Sequence, residues 1–510
     1  MIISRTGNTE WIPRHETFVQ PIHDLYDLAN ANTGNVLRDY NATTVGVQRI
    51  IREAIDRGLR LRAVGGEWSW TRIAATDGIL LNTKPLNLTF PISGASTHPD
   101  YAHTNEDLYF AQCGVSIQEL SLALKKRGRS LKTSGASNGQ TIAGGMSTGT
   151  HGAAIDFGSI TEFIVGLHII VSPTRHIWLE RKSYPAAGDQ LVNKLNAERV
   201  SNDELFNAAL VSFGSFGFIH GVLIETEPLY LYESYRVLLP MDNTMVTMMQ
   251  HLDFTGAVLP NREERPFHFQ VVLNPYDLAA GVFVTVMYRR AYSTNYIPPA
   301  ISLGGIVPGD DAPAFIGGLV GLLPDLIPTA VNALVGATYK PFSNGWGTHA
   351  EMFTNTNLHG RVFSSAMGMD AVDVLRATEI LLELNQRESF SGIFSYRWVK
   401  GTQATLGFQQ FEHTCVVELD GELSERALDF CRMYWKALDA AGIRYTFHWG
   451  KVLEMDAPAL RKMYGSERVD AWLTARKTLM QDPASMRAFT NDFMVELGLD
   501  EVVADGGVIA

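Results

Sequence analysis

The chain has 510 residues and a formal charge of −12, from 42 basic and 54 acidic residues. This length exceeds that of one ordinary domain, so we expect two large domains. The acidic balance, with no basic stripe, argues against nucleic acid as a partner. A composition of 46% hydrophobic and 19% charged residues excludes disordered and fibrous classes.

Neither an export signal nor a membrane span is predicted. The first residues, MIISRTGNTEWIPRHE, have no apolar core of the length that a signal peptide needs. The most apolar region, residues 300–339, is broken by acidic residues into runs too short to cross a membrane. The widely spaced Cys113, Cys415 and Cys431 predict free thiols in a reducing compartment. We therefore expect a cytoplasmic protein.

Residues 1–228 alternate between helical and strand patterns. The apolar spacing of residues 43–57 predicts an amphipathic helix capped by Thr43 or Thr44. Short apolar strands are predicted in GILLNTKPLN and FIVGLHIIV, and residues 203–211 have a helical pattern. This order of elements predicts an α/β domain.

Beyond Pro228 the pattern changes to longer strands. FHFQVVLN, GVFVTVMYRR, GIFSYRWVK and HTCVVELDG are separated by predicted helices at 371–385 and 424–441, which favours an antiparallel sheet. We place this second domain at 229–456. A helical tail follows at 457–510 and ends in the strand-like GVIA. The fold class is therefore α+β.

Two glycine-bearing segments could bind a dinucleotide. The first, RAVGGEWSW, is a strand followed by a tight turn, and the second, residues 134–152, contains six glycines and almost no charge. Such segments present backbone N–H groups to a pyrophosphate or to the edge of a flavin. The alternative for the second segment is an ordinary flexible loop.

Together the two segments resemble the FAD-binding stretches of the vanillyl-alcohol oxidase superfamily. SFGSFGFIHGVLIET is similar to a third motif of that family, and FHWGK at 447–451 resembles the HWGK motif of its aldonolactone and alditol oxidase branch. The resemblance implies a PCMH-type FAD-binding domain of two α/β subdomains, covered by a cap domain with a large antiparallel sheet. It also implies that the tail returns to the FAD-binding domain.

The resemblance also implies which residues bind FAD. The first turn would hold the pyrophosphate, the glycine-rich segment would follow the flavin, and Ile219 would lie near the adenine. The cofactor-binding residues carried over in this way are Ala63, Val64, Gly65, Gly66, Glu67, Trp68, Ser69, Ser134, Gly135, Asn138, Thr141, Gly144, Gly145, Ser147, Thr148, Gly149, His151 and Ile219.

Trp68 is the first departure from the family. Many relatives have a histidine at this position, bonded covalently to the flavin, and GGEWS offers no substitute nucleophile. We therefore expect noncovalent FAD, which would be a weaker oxidant than a histidyl-linked flavin unless other groups compensate.

The second departure lies in the cap, where the family usually has the motif ExR on a strand facing the flavin. FSYR places Ser395 at the glutamate position and retains Arg397. Because serine is a poor general base at neutral pH, sugar acids and polyols become doubtful substrates. Arg397 would bind an anionic or carbonyl group of the substrate, or else form an ion pair within the sheet.

Lys451 and His448 of HWGK are the other catalytic candidates. A lysine near the flavin or the substrate oxygen would stabilise negative charge that develops during hydride transfer. His448 would orient the substrate or contact the flavin, and a structural histidine is the alternative. His151, in GTHG, would mainly order its loop.

The remaining candidates have weaker support. His349, Glu351 and His359 could supply a base, but their spacing fits no known metal motif, so no metal is predicted. His268 could face either the core or the substrate. The apolar residues 300–339 could form a lid for a hydrophobic substrate, or they could pack within the fold or at a homodimer contact.

These observations predict an FAD-dependent oxidoreductase that transfers hydride from a CH–OH carbon, or a CH–NH carbon, of a hydrophobic or aromatic substrate to flavin N5. Molecular oxygen or another acceptor would reoxidise the flavin. One alternative is a biosynthetic flavoenzyme that performs oxidative cyclisation or desaturation. Another is a noncatalytic binding protein that keeps the fold.

Overall fold

The computed structural model describes residues 1–262, 264–299, 324–356 and 360–500. The predicted fold class is confirmed, because two smaller α/β subdomains stand beside a large antiparallel sheet. The predicted strand GVIA, residues 300–323 of the apolar region, and His359 lie outside the described residues. In the part of the chain that is described, no helix combines the length and hydropathy needed to span a membrane.

The first subdomain is a small sheet with one long helix. The sheet order is β1-β4-β6-β5, with β4 and β5 parallel to β6. Its elements are β1 Ile2–Arg5, β4 Asp24–Ala29, β5 Leu61–Val64, β6 Ile79–Asn82 and helix α1 Val36–Asp56, with the two-residue strands β2 Glu10–Trp11 and β3 Gln20–Pro21 alongside.

Helix α1 begins seven residues earlier than the apolar spacing predicts. Its N-cap is Asn35, whose side chain accepts a hydrogen bond from Arg38 N, so the predicted cap at Thr43 or Thr44 is wrong. Both threonines are buried inside the helix. Asp39, Thr43 and Thr44 occupy buried positions in this part of the helix, so polar residues interrupt the apolar period there.

The second subdomain is built on the sheet β12-β11-β10-β13-β8-β7. Its elements are β7 Thr89–Pro91, β8 Leu108–Gln112, α2 Ile117–Lys125, β9 Arg129–Ser130, α3 Ile142–Ser147, β10 Ile164–Ile170, β11 His176–Glu180, α4 Asp189–Leu195, β12 Glu198–Ser201, α5 Asp203–Leu210, β13 Phe218–Glu225 and β14 Glu227–Pro228. Every residue of β8, β10 and β13 is buried, including the polar residues Gln112, His168, His220 and Glu225 of these mainly apolar strands.

The cap sheet runs in the order β18-β15-β17-β16-β20-β21-β19-β22 with antiparallel neighbours. Its strands are β15 Tyr230–Leu239, β16 His268–Leu273, β17 Val282–Ala291, β18 Phe342–Gly347, β19 Val362–Asp370, β20 Gly392–Lys400, β21 His413–Glu422 and β22 Tyr445–Phe447. Its helices are α6 Asn243–His251, α7 Ile327–Thr338, α8 His349–Met352, α9 Val374–Arg387 and α10 Glu425–Ala440.

The two faces of the cap sheet differ in chemistry. The outer face packs apolar residues such as Val271, Tyr396 and Val417 against α6, α9 and α10. Because side chains alternate along a strand, the intervening residues point to the inner face. There lie the polar residues Gln270, Arg397 and Glu418. Alternation thus places buried charge on one side of the sheet.

The C-terminal helices pack against the first two subdomains. They are α11 Ala457–Tyr464, α12 Ser466–Met480, α13 Pro483–Ala488 and α14 Asp492–Glu496. Helix α12 contacts α5, and α13 contacts α1. The buried Arg62 guanidinium reinforces this contact by donating to the carbonyl oxygens of Ile73, Phe213 and Phe489. The domain limits 1–228, 229–456 and 457–510 stay a prediction.

Replacing the observed cap of α1 tests where this helix begins. Asn35→Ala removes the acceptor of the Arg38 N–H, so we expect the free energy of unfolding to fall by about 1 kcal/mol. Asn35→Ser keeps a capping oxygen and should restore most of the loss. Chemical denaturation measures both, and an Asn35→Ala protein as stable as the wild type would contradict this N-terminus.

Candidate functional site

A cavity with about 1450 Å³ of empty space, part of it open to solvent, lies between the first two subdomains and the inner face of the cap sheet. Its wall comes from the turn after β5, the glycine-rich segment, residues 213–219, the strands β20 and β21, and residues 448–451. This convergence of distant segments on one concave site is typical of a cofactor or substrate site.

Most of the predicted site residues line this cavity. They are Ala63, Val64, Gly65, Gly66, Glu67, Trp68, Ser69, Gly135, Thr141, Gly144, Gly145, Ser147, Thr148, His151, Ile219, Arg397, His448 and Lys451. Ser134, Asn138 and Gly149 do not line it. Asn138 Nδ2 instead donates to the carbonyl oxygen of Phe353 at 2.8 Å. At Gly149, a Cβ atom would lie 3.5 Å from the Phe408 ring.

The turn at residues 65–69 presents a run of backbone donors. Within the described part of the chain, none of its five N–H groups donates to a protein acceptor. Glu67 has a φ of 59°, which lies in the left-handed region, and its carboxylate is held by the Trp11 indole at 2.8 Å. Successive free N–H groups around a left-handed residue form a concave anion site.

The glycine-rich segment is not simply a loop. It contains the short helix α3, capped by the Thr141 hydroxyl, which accepts from Gly144 N at 3.3 Å. A Cβ atom on Gly139 would lie 2.5 Å from the Trp68 ring, so glycine is required where the segment crosses the indole. The Trp68 ring of the first segment therefore packs against the second, glycine-rich segment.

Several buried polar atoms in the cavity wall lack a partner in the protein. They are Trp68 Nε1, Ser137 Oγ and Gln140 Oε1. Buried polar atoms are almost always hydrogen-bonded, so these atoms point to a ligand with both donors and acceptors. A dinucleotide with a flavin ring meets that description, and the free N–H groups at 65–69 suit its pyrophosphate.

Charged side chains from two neighbouring cap strands, β20 and β21, meet at the cavity. The Arg397 guanidinium lies 3.4 Å from the Glu418 carboxylate, and both side chains are buried. Ser395 Oγ bridges two carboxylates, 3.2 Å from Glu418 and 2.9 Å from Asp420. Glu418 lines the cavity, whereas Asp420 lies behind it.

Lys451 joins this cluster from the HWGK motif. Its Nζ donates to Ser364 Oγ at 2.8 Å, and the Ser364 hydroxyl donates to Asp420 at 2.7 Å. The ammonium group also lies 4.6 Å from the centre of the Trp70 ring, at cation–π distance. Two positive and two negative groups are thus buried together.

The protonation states of the cluster follow from burial and from neighbouring charge. Burial tends to raise the pKa of Glu418, but the charges of Arg397 and Lys451 outweigh it and hold that pKa below its usual value. Burial and the Glu418 charge raise the pKa of Asp420 to about 6. The two carboxylates titrate as a coupled pair, and Asp420 is its more basic member.

The two histidines beside the cluster are uncharged at neutral pH. Burial lowers the pKa of His151 to about 4 and holds the pKa of His448 well below its usual value. His151 Nε2 lies 3.8 Å from Glu418 Oε1. The ring centres of His151 and His448 lie 5.4 Å apart. His448 also accepts from Gly450 N, which fixes its ring.

A family model described as an FAD binding domain matches residues 41–178. Residues 41–178 therefore form an FAD-binding domain. The matched range includes the turn at 65–69 and the whole glycine-rich segment, the two parts of the wall with free backbone donors or unpartnered polar atoms.

Relatives of this FAD-binding domain include oxidases and dehydrogenases. An L-gulono-1,4-lactone dehydrogenase of Mycobacterium tuberculosis is 25% identical over 44% of this chain and 43% of its own length. A long-chain alcohol oxidase of an uncultured marine euryarchaeote is 30% identical over 42% of this chain and 40% of its own. The chain thus matches less than half the length of these relatives.

Two solved structures share the fold over nearly the whole chain. A cholesterol oxidase from B. sterolicum has a TM-score of 0.69 at 13% identity, covering 97% of both chains. A solvent-stable cholesterol oxidase has a TM-score of 0.63 at 15% identity, covering 97% of this chain and 98% of that one. At these identities the likeness shows the fold alone.

Sequence reasoning missed Glu418, Asp420 and Ser364. The alternation in HTCVVELDG places Glu418 and Asp420 on one face of β21, and that pattern could have identified them. The sequence alone could not show that β20 is the strand that pairs with β21 at these residues. Register pairs Ser395 with Glu418, so a carboxylate lies beside the serine that replaces the family's glutamate.

Two of the other polar candidates, His349 and Glu351, have structural partners. His349 Nδ1 lies 3.2 Å from Ser121 Oγ, and Glu351 caps α8 and pairs with Lys125. Burial lowers the pKa of His268 to about 3, and its ring faces the inner side of the cap sheet. Among the described residues, no group of three His, Cys, Asp or Glu side chains could hold a metal ion.

The raised pKa of Asp420 predicts a pH-dependent contribution to stability. An aspartate in the unfolded chain has a pKa of about 3.9, so between about pH 3.9 and 6 the native state binds the proton more tightly. This contribution is fully present below the unfolded pKa and is lost as pH rises to about 6. We therefore expect the unfolding free energy of the wild type, minus that of Asp420→Asn, to fall across this range.

Denaturant titrations at several pH values measure this difference. The matched control is Asp56→Asn, because Asp56 is exposed and forms no ion pair among the described residues, and it should show no such trend. A difference between wild type and Asp420→Asn that stays flat across the range would contradict the raised pKa.

Proposed function

We propose that this protein is an FAD-dependent oxidoreductase that oxidises a CH–OH carbon to a carbonyl. The observation that carries the proposal is the meeting of Glu418, Arg397 and Lys451 in the wall of the cavity that the FAD-binding domain forms. The printed names of the relatives, a lactone dehydrogenase, an alcohol oxidase and cholesterol oxidases, support the same class of reaction.

The proposal includes noncovalent binding of FAD. The N–H groups at 65–69 would hold the pyrophosphate, and the glycine-rich segment would run along the flavin. Trp68 occupies the position of the histidine that links the flavin in relatives, and an indole forms no such bond. Cys113 is another nucleophile in the wall, but burial raises the pKa of its thiol to about 12, so the reactive thiolate is scarce.

The substrate hydroxyl would lie between Glu418 and Arg397. As the carbon is oxidised, its C–H bond breaks and the electron pair leaves with the hydrogen as hydride. Bound FAD supplies the acceptor for that hydride. The hydroxyl proton passes to the Glu418 carboxylate, and the C–O bond becomes a carbonyl whose oxygen Arg397 stabilises.

Ser395 gives that proton a path away from the substrate. A protonated Glu418 can donate to Ser395 Oγ while the Ser395 hydroxyl donates to Asp420, the more basic carboxylate of the pair. The serine thus acts as a relay and does not need to be a base. We propose that Glu418, on the neighbouring strand, takes over the role of the missing glutamate.

The proposal extends to substrate, acceptor and compartment. Apolar residues of α7, including Val331 and Val335, pack on the inner face of the cap sheet, which favours a substrate with a long apolar part. Oxygen or another acceptor would reoxidise the flavin. The three buried free cysteines are consistent with a reducing cytoplasm.

The purified protein should be yellow and should release its flavin on denaturation. We expect the absorbance bands of FAD, and after acid precipitation the chromophore should appear in the supernatant at one FAD per chain. Flavin that stays in the pellet would disprove noncovalent binding. A folded protein that stays colourless after incubation with FAD would disprove the enzyme proposal.

Replacing Glu418 tests the proposed proton acceptor. With an alcohol selected from a panel of long-chain alcohols, sterols and lactones, Glu418→Gln should lower kcat/KM by about 10²- to 10⁴-fold. FAD should still bind at one per chain, because Glu418 is not among the proposed cofactor ligands. Stopped-flow absorbance of flavin reduction measures the chemical step directly.

Two further variants sharpen this test. Ser395→Ala should leave Glu418 in place but remove the pH dependence that Asp420 imposes on flavin reduction near pH 6. Glu412→Gln, an exposed carboxylate just before β21, serves as the control and should leave the rate unchanged. A Glu418→Gln protein with the wild-type rate and pH profile would disprove the assignment.

A further inference from the structure

A row of polar side chains crosses the inner face of the cap sheet, away from the flavin-binding segments. Register places Arg236 opposite Thr285, Thr285 opposite Gln270, and Gln270 opposite Arg397. All four side chains are buried, with exposed fractions of 3% or less. We call these four residues the cap row. It begins at the reacting centre and ends three strands away, at Arg236.

Arg236 is a buried cation without a matching anion. Its side chain is 2% exposed, and its Nε donates to the neutral Thr285 hydroxyl at 3.2 Å. Among the described residues no carboxylate forms an ion pair with it, and its Nη2 has no hydrogen-bond partner. A guanidinium in such a place is costly unless a partner of opposite charge binds there.

Neighbouring polar atoms on the same face also lack protein partners. They are Ser234 Oγ and His268 Nε2, each two residues along its strand from the cap row, and Gln270 Nε2 within it. Burial lowers the pKa of His268 to about 3, so its ring stays neutral and its unpartnered nitrogen does not add charge. Unpartnered polar atoms therefore lie on the same face of the sheet as this cation.

Apolar groups border the cap row on both sides. On one side, Val331 and Val335 of α7 pack against Val272 and Ile393 of the sheet. On the other, Met287 packs with Tyr232, Met352 and Phe353. The ring centres of Tyr339 and Phe342 lie 4.0 and 5.0 Å from Arg236 Cζ, and the two rings hold the guanidinium in place. The row is thus a polar strip with apolar walls.

From these observations we propose that the cap row binds the substrate, and that the substrate carries a carboxylate which pairs with Arg236. This inference rests on the proposed function. Three strand spacings separate Arg236 from Arg397, or roughly 14 Å. The substrate is then a long-chain hydroxy acid, with its hydroxyl carbon near Glu418 and its carboxylate at the far end of the row. The planar guanidinium suits a carboxylate, which accepts two parallel hydrogen bonds.

The test compares an acid with its uncharged ester. The probes are ω-hydroxydodecanoate and its methyl ester, and calorimetric titration of the flavin-loaded protein gives their dissociation constants. We expect the acid to bind about 10- to 100-fold more tightly than the ester to the wild type. Arg236→Met should remove this preference, and Arg236→Lys should keep part of it.

Controls separate charge recognition from misfolding and from the function itself. Arg376→Gln, at an exposed position on α9, should keep the full preference for the acid. If Arg236→Met does not fold, Gln270→Leu provides a second variant, and it should weaken binding of the acid more than binding of the ester.

Three outcomes would overturn the proposal. They are equal binding of acid and ester to the wild type, no binding of either, and a preference for the acid that survives in Arg236→Met. Failure of the protein to bind FAD would instead overturn the proposed function, and the acid and ester can still be compared on that folded protein.

Discussion

The burial of four charged groups beneath the cap sheet is the constraint on which the site depends. Glu418 and Asp420 would not remain buried without Arg397 and Lys451, and neither cation would remain there without the carboxylates. Because the four groups come from β20, β21 and the HWGK motif, they compensate one another only when the cap sheet has its correct register. The same requirement places a base, a proton relay and an oxygen-stabilising cation in one wall of the cavity.

Much of this fold could be predicted from the sequence because its patterns are local. The mainly apolar strand β10, the alternating strand β21 and the glycine-bearing turn at 65–69 each carry their own pattern. The family resemblance then supplied the arrangement of domains. The beginning of α1 was missed because Asp39, Thr43 and Thr44 occupy buried positions in its first turns and interrupt the apolar period.

The site was predicted only in part because its central contact is not local. The replacement of glutamate by Ser395 could be seen in FSYR, and it suggested that no acid was available. Glu418 lies 23 positions further along the chain, and only the pairing of β20 with β21 brings it to Ser395. Arg236 is more distant still, because three strand pairings separate it from Arg397. Register between strands cannot be read from a single sequence, so residues that act together across a sheet stay hidden.

Arg62 has a consequence for which form of flavin the cavity accepts. Burial lowers the pKa of its guanidinium to about 9, so it stays charged at neutral pH, and in the described residues only carbonyl dipoles compensate it. Those carbonyls belong to Ile73, Phe213 and Phe489, which line the cavity. The chain has a formal charge of −12, but this part of the wall carries a buried positive charge. The pyrophosphate of a bound dinucleotide would bring opposite charge towards it, whereas lumiflavin and riboflavin carry no phosphate that could do so.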